Sequence, residues 1–118
     1  TCSRSASVRV FGQVPVRIVR LDDYVAERGL PLPNLLKLDV QGYELEVLRG
    51  AETVLAGAAA LVIEVSFVEL YQGQALFHDI DAFCRSHGFH LHALGADTTL
   101  GRELVQADAC FLRSESRA

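Results

Sequence analysis

The sequence has few of the residues that mark disulfide-rich or metal-rich small proteins. Its 118 residues include three cysteines, three prolines, no tryptophan and no methionine. Cys2, Cys84 and Cys110 are odd in number and form no CxxC pair, which argues against a disulfide framework or a zinc site and favours a reducing compartment. We therefore expect a cytoplasmic protein whose isolated thiols pack as small apolar side chains.

Long hydrophobic runs and blocks of positive charge are also missing. The net charge is −4 and the basic residues are scattered, so nucleic acid and an anionic membrane are poor candidates for partners. No apolar run approaches the roughly 20 residues that cross a bilayer, and the polar first residues do not resemble a signal peptide. Half of the residues are hydrophobic, which fits one soluble domain over residues 1–118.

Apolar periodicity predicts strands that alternate with helices. The predicted elements are a strand over 8–20, a helix over 21–29, a strand over 35–40, a helix over 43–56, a strand over 60–66, a helix over 78–88 and strands over 89–95 and 104–114. This order favours an α/β fold with a mostly parallel sheet built from right-handed crossovers. The last connection is too short for a crossover helix, so the final strand must pair antiparallel.

Individual residues also predict where the first helix begins and ends and how two of the strands are buried. Asp22 or Asp23 can cap the first helix, and Gly29 can end it. The runs over 35–40 and 60–66 are apolar almost throughout, which is typical of strands covered on both faces.

Carboxylates stand at or near the ends of the two apolar strands. Asp39 directly precedes a turn, Glu64 interrupts an apolar strand near its end, and Glu44 falls in the first turn of the helix that follows Gly42. Because ligands of open α/β sheets bind beyond the carboxyl ends of the strands, we expect these three acids to converge on a binding site.

A structural role is the alternative for each acid. Glu44 can favour the helix dipole, and Asp39 can accept amide hydrogens at the start of the helix. Glu64 can be a buried carboxylate that is satisfied by internal hydrogen bonds. Glycine-rich phosphate loops and the GxSxG motif of hydrolases are absent.

The segment "LLKLDVQGYELEVLRGAETVL" resembles the C-terminal half of the FkbM family of S-adenosylmethionine-dependent methyltransferases. The resemblance covers about residues 14–113 and continues through "ALVIEVSFVELYQGQ", "IDAFCRSHGFHLHAL" and "GRELVQADACFLR". It implies a Rossmann-like methyltransferase fold with a final antiparallel strand, and methyl transfer to a hydroxyl of a small molecule or carbohydrate.

The resemblance also implies roles for individual residues. Asp39 corresponds to the acid beside cofactor and acceptor, Gly42 and Glu44 belong to the adjoining turn, and Glu64 ends the next strand. The catalytic candidates are therefore Asp39, Glu64 and Glu44, and the cofactor-binding candidates are Asp39, Gln41 and Gly42. Gln41 stands where many members have glutamate. Asp39 and Glu44 could in principle hold Mg²⁺ through hard oxygen ligands, but we predict no metal site.

The family's glycine-rich cofactor turn and ribose-binding acid have no counterpart upstream of Val14. With no methionine and a threonine at position 1, we expect a processed product or a piece of a longer protein that carries an incomplete S-adenosylmethionine site. The sheet edge left open would favour a homodimer. The alternative function is a non-catalytic α/β interaction module; a receiver-type phosphoacceptor lacks the acidic pair it requires.

Overall fold

The structure, a computed structural model, describes residues 12–115. Residues 12–20 form neither helix nor strand. The elements that follow are α1 (Leu21–Arg28), β1 (Leu35–Leu38), α2 (Glu44–Arg49), α3 (Glu52–Gly57), β2 (Ala60–Ser66), α4 (Phe77–Ser86), β3 (Phe89–Leu100) and β4 (Glu103–Arg113). The predicted α/β class is confirmed.

The four strands form one sheet in the order β1-β2-β4-β3. Only β1 and β2 are parallel, whereas β4 pairs antiparallel with both β2 and β3. The antiparallel final strand is therefore confirmed, but the mostly parallel sheet is not. The reason is that β4 enters the space between β2 and β3, two strands with the same direction, and so makes two antiparallel pairings.

The predicted strand over 8–20 is not present in its described part. Residues 8–11 lie outside the described residues, and residues 12–20 are assigned to no strand. Val14, Val16 and Ile18 are about four-fifths exposed, at 81%, 77% and 77%. Alternation of apolar residues favours a strand, but a strand also needs a hydrogen-bonding neighbour, and none of the described strands pairs with residues 12–20.

The predicted helix over 43–56 is divided into α2 and α3. In a continuous helix the carbonyl of Gly50 would accept the N–H of Val54. Instead the Gly50 carbonyl accepts the N–H of Asp22 at 2.9 Å, and the N–H groups of Thr53 and Val54 donate to the Asp22 carboxylate at 2.9 and 3.0 Å. Asp22 thus replaces the missing helical hydrogen bonds. The prediction that Asp22 or Asp23 caps α1 is wrong, because α1 has no side-chain cap.

Replacement of Asp22 by alanine should lower the free energy of unfolding by about 1 to 2 kcal/mol, since it removes a carboxylate cap that serves two amides. Asp22→Asn keeps one oxygen acceptor and should lose less. The matched control is Asp23→Ala, whose partner Arg20 is 3.9 Å away in an exposed pair and contributes little. Urea unfolding of the three variants tests the assignment, and equal losses for Asp22→Ala and Asp23→Ala would contradict it.

The hydrophobic core lies between one face of the sheet and the helices. Along β2, Leu61, Ile63 and Val65 are buried, whereas the residues between them are half-buried. The expectation of strands covered on both faces is therefore wrong within the described residues. The helices contact one another in series, α1 with α3, α3 with α2 and α2 with α4, and so form a layer on one face only.

Cys84 belongs to this core, as expected for an isolated thiol. It is 1% exposed, and burial, with a smaller effect from the charge of Asp81, raises its pKa to about 12. Cys110 is half-buried on β4, and Cys2 lies outside the described residues.

The β3–β4 hairpin is longer than predicted. Strand pairing continues to Leu100 and Glu103, so the predicted polar loop shrinks to a turn at Gly101, whose φ of 61° favours glycine. The pairing register of β3 with β4 shifts after Leu91, Gly95 and Thr98, so that apolar and polar residues do not alternate regularly along β3. The hairpin extends past the end of β2, because Ser66 pairs with Gln106.

The outer edge of β1 has no strand beside it among residues 12–115. A cavity of about 630 Å³ opens near this edge, with apolar walls that include Ile18, Leu36, Leu38 and Val47. Association through the edge remains a prediction. No helix in the described part of the chain has the length and apolar character needed to cross a membrane.

Candidate active site at the carboxyl ends of β1 and β2

A tight turn follows β1 and is held by Glu44. Gln41 and Gly42 have positive φ angles of 54° and 98°. Glu44 is 4% exposed, and its carboxylate accepts the N–H groups of Val40 at 2.9 Å and Gly42 at 3.1 Å. Both oxygens of Glu44 are therefore engaged by the backbone of the turn, the arrangement expected for a carboxylate that fixes a loop.

Asp39 lies at the exposed mouth of this turn and is oriented by a chain of side-chain hydrogen bonds. The amide nitrogen of Gln41 donates to Asp39 Oδ1 at 3.1 Å, and the hydroxyl of Tyr71 donates to the amide oxygen of Gln41 at 2.7 Å. Asp39 is accessible to a ligand, whereas Tyr71 is 9% exposed. An exposed carboxylate is thus connected to a buried ring through one amide.

Gly42 makes this close packing feasible. A β-carbon at position 42 would lie 2.7 Å from Cδ2 of the Tyr71 ring, a distance that no side chain tolerates. Glycine also suits the φ of 98° at this position. The turn after β1 therefore requires glycine for its backbone and for its contact with Tyr71.

The loop that carries Tyr71 is fastened to the end of β2 by Gln74. Its amide oxygen accepts the N–H groups of Leu70 and Tyr71 at 3.0 and 3.3 Å, and its amide nitrogen donates to Oγ of the buried Ser66 at 2.8 Å. The rings of Phe67 and Phe77 stack at 5.3 Å between centroids and close the two ends of the loop. Tyr71 is consequently held in a defined place.

Glu64 lies beside this turn on the neighbouring strand. Its Oε1 accepts the amide of Gln106 at 3.2 Å, and Glu64 stands opposite Asp108 in the β2–β4 register. Burial raises the pKa of the Glu64 carboxyl, and the negative charges of Asp39, Glu44 and Asp108 raise it further. The structure therefore brings the three predicted acids together and adds Asp108.

The raised pKa of Glu64 makes a pH-dependent contribution to stability. An acid with a raised pKa in the folded state binds its proton more tightly there than in the unfolded chain. The folded state therefore loses stability as the pH rises from the ordinary carboxyl value of 4.5 through the raised value. Glu64→Gln removes this loss and keeps an oxygen that can accept from Gln106.

The free energy of unfolding of Glu64→Gln, relative to the wild type, should thus increase between about pH 4 and about pH 7. Urea unfolding at both pH values measures it, with Glu103→Gln at the exposed start of β4 as the control. A difference between wild type and Glu64→Gln that is the same at both pH values would contradict the account.

Sequence reasoning missed Tyr71, Gln74, Gln106 and Asp108. The last two could have been found, because "VQADA" alternates polar and apolar residues and so places Gln106 and Asp108 on one face of a strand. Tyr71 and Gln74 lie in a connection without periodicity, and only the folded loop brings them to the turn. Within residues 12–115 no group of three or more histidine, cysteine or acidic side chains is arranged to hold a metal.

The histidines lie in other parts of the fold. The His87 ring stacks on Phe83 at 4.0 Å and its Nδ1 lies 2.9 Å from the Phe83 carbonyl at the end of α4. His90 Nδ1 lies 3.0 Å from Oγ of Ser114. These contacts are those of side chains that stabilise a helix end and a strand end.

Comparison with known proteins relates the chain to methyltransferases. It is 40% identical over 67 residues to the 2-O-methyltransferase NoeI of Sinorhizobium fredii, an alignment that covers 57% of this chain and 28% of NoeI. It is 32% identical over 104 residues, 82% of this chain and 36% of the relative, to the 31-O-demethyl-FK506 methyltransferase FkbM of Streptomyces tacrolimicus. The hexuronic acid methyltransferase AglP of Haloferax volcanii is 33% identical over 58 residues, 49% of this chain and 24% of AglP.

The aligned part of this chain thus spans between 24% and 36% of these relatives. No solved structure matches the chain. The sequence model of the Methyltransferase FkbM domain matches residues 2–91, and this region includes β1, β2 and the turn that holds Asp39, Gln41 and Gly42. The chain belongs to the FkbM methyltransferase family.

Proposed function

We propose that this chain provides the acceptor side of an S-adenosylmethionine-dependent O-methyltransferase that acts on a hydroxyl group of a small molecule or carbohydrate. The observation that carries the proposal is an accessible carboxylate, Asp39, at the carboxyl end of β1, with its orientation set by Gln41. Glu64 on the neighbouring strand is close enough for the charge of Asp39 to raise its pKa. The names of the relatives, two O-methyltransferases and a hexuronic acid methyltransferase, support the class of acceptor.

The chemistry of the site fits the proposed methyl donor. Asp39, Glu44, Glu64 and Asp108 concentrate negative charge, and within residues 12–115 none of them forms a salt bridge. S-adenosylmethionine supplies an electrophilic methyl group on a positively charged sulfonium. Asp39, Gln41 and Gly42 are the residues of this chain that would hold it, by their place in the turn after β1.

Asp39 performs the main chemical role in this proposal. Its carboxylate accepts a hydrogen bond from the acceptor hydroxyl, orients the oxygen lone pair and takes the proton as the new C–O bond forms and the C–S bond breaks. Most of the acceleration comes from proximity, with a smaller part from general-base catalysis. Glu64 is the second candidate for the base, and Glu44 holds the turn through its two backbone hydrogen bonds.

Binding of the donor separates this proposal from the non-catalytic interaction module. We expect a calorimetric titration of the full-length protein with S-adenosylmethionine to show saturable binding at one site. We expect a variant with Asp39→Asn and Gly42→Ala to bind more weakly, because the first change removes a negative charge from the site and the second distorts the turn. A folded full-length protein that binds no donor at the highest attainable concentration would exclude the enzyme and favour the module.

A further inference from the structure

We propose that Tyr71 is a positioning residue for methyl transfer, which acts on Asp39 through the side-chain amide of Gln41. The proposal rests on the catalytic role of Asp39 proposed above. Tyr71 itself is buried, so its effect on the acceptor is indirect. What it controls is the orientation of an amide that contacts the reactive carboxylate.

The two ends of the Gln41 side-chain amide have opposite hydrogen-bonding character. The oxygen only accepts and the nitrogen only donates. Because the Tyr71 hydroxyl donates to the oxygen at 2.7 Å, the nitrogen must point the other way, where it donates to Asp39 Oδ1 at 3.1 Å. If the amide turned over, its oxygen would face an anionic oxygen of Asp39, a repulsive contact.

The position of the Tyr71 hydroxyl is itself determined by the fold. Gln74 fastens the Tyr71 backbone to Ser66, which is 2% exposed at the end of β2. The ring packs directly on Gly42. Hydrogen bonds on the two sides of Tyr71, joined by the Tyr71 side chain itself, therefore connect the buried end of β2 to the exposed carboxylate at the end of β1.

The neutral amide is essential to this path. A glutamate at position 41 could still accept from Tyr71, but it could not donate to Asp39, and it would place a second negative charge beside that carboxylate. The amide of Gln41 therefore couples a donor on one side to an acceptor on the other. This coupling predicts that Tyr71 and Gln41 act as a unit in catalysis.

The test is a double-mutant cycle in the full-length protein with S-adenosylmethionine and an acceptor that the wild type methylates. We expect Tyr71→Phe and Gln41→Met each to lower kcat about tenfold, and the double variant to be no slower than about twofold below either single variant. In Tyr71→Phe, which removes no group that would hold the donor, the KM for the donor should change less than about twofold. The matched control is Tyr24→Phe, the same loss of a hydroxyl on α1, which should keep the wild-type kcat. Unchanged kcat in Tyr71→Phe, or effects that multiply in the double variant, would overturn the proposal.

A measurement that needs no acceptor accompanies the kinetics. The side-chain amide of Gln41, assigned by its loss in Gln41→Met, should show an NMR order parameter of about 0.8 in the wild type and below about 0.6 in Tyr71→Phe. Equal order parameters in the two proteins would also overturn the proposal.

The rate of methyl transfer by Asp39→Asn distinguishes failure of the proposed function from failure of this inference. If Asp39→Asn keeps full activity, the role of Asp39 fails. If Asp39→Asn is inactive and Tyr71→Phe has the wild-type rate, only the role of Tyr71 fails.

Discussion

Asp39→Asn should lower methyl transfer by the full-length protein by a factor of about 10² to 10⁴, the range that a general base contributes. Asparagine has nearly the same size and shape as aspartate, but it cannot accept the proton of the acceptor hydroxyl. Because Asp39 is exposed and the Gln41 amide can still donate to the side-chain oxygen of asparagine, the fold and the turn should persist. The measurement is the initial rate of methyl transfer with saturating S-adenosylmethionine.

The control for Asp39→Asn is Asp97→Asn, the same chemical change at an exposed position on β3. Its rate should equal that of the wild type, and the circular dichroism spectra of both variants should match the wild-type spectrum. If Asp39→Asn retains the wild-type rate, Asp39 is not the base. Glu64→Gln is then the next variant to measure, because Glu64 is the neighbouring carboxylate.

Gly42→Ala should lower the free energy of unfolding by about 2 to 4 kcal/mol, the largest effect on stability that we expect in the turn. One part arises from the φ of 98°, which side chains rarely adopt, and the other from the contact of the new β-carbon with the Tyr71 ring, at 2.7 Å before relaxation. The strain can be relieved only if Tyr71 moves away. Gly42→Ala should therefore also lower kcat, because the movement breaks the hydrogen bond from Tyr71 to Gln41.

Gly73→Ala separates the two causes. Gly73 also has a positive φ, 75°, but a β-carbon there meets no atom within 4 Å. Its loss of stability should be about 1 to 2 kcal/mol, from the backbone conformation alone. Urea unfolding of the two variants gives the comparison, and equal losses would show that the Tyr71 contact adds nothing.

Local sequence patterns predicted the parts of the fold that depend on local physics. The β1–turn–α2 segment followed from a short apolar run, a glycine and an amphipathic pattern, and Gly29 ends α1 as expected. The convergence of Asp39, Glu44 and Glu64 followed from the rule that parallel strands present their carboxyl ends at one edge. These inferences needed only neighbours in the sequence and one topological rule.

The features that the sequence did not predict depend on contacts between distant segments. The break between α2 and α3 is caused by Asp22, whose carboxylate comes from 31 residues away to cap Thr53. The place of β4 between β2 and β3 depends on three-dimensional packing that alternation does not encode. Tyr71 was missed for the same reason, since its hydroxyl reaches Gln41 across 30 residues.

The most direct test of the proposed function is the transfer of a trideuterated methyl group from S-adenosylmethionine by the full-length protein to hydroxyl-bearing acceptors, such as sugars and hydroxylated small molecules. Mass spectrometry and NMR of the product locate the label. The account predicts an ether, with the label on an acceptor oxygen, and the loss of this product in Asp39→Asn. A label on nitrogen or on a carboxyl group, or an ether formed equally fast by Asp39→Asn, would contradict it.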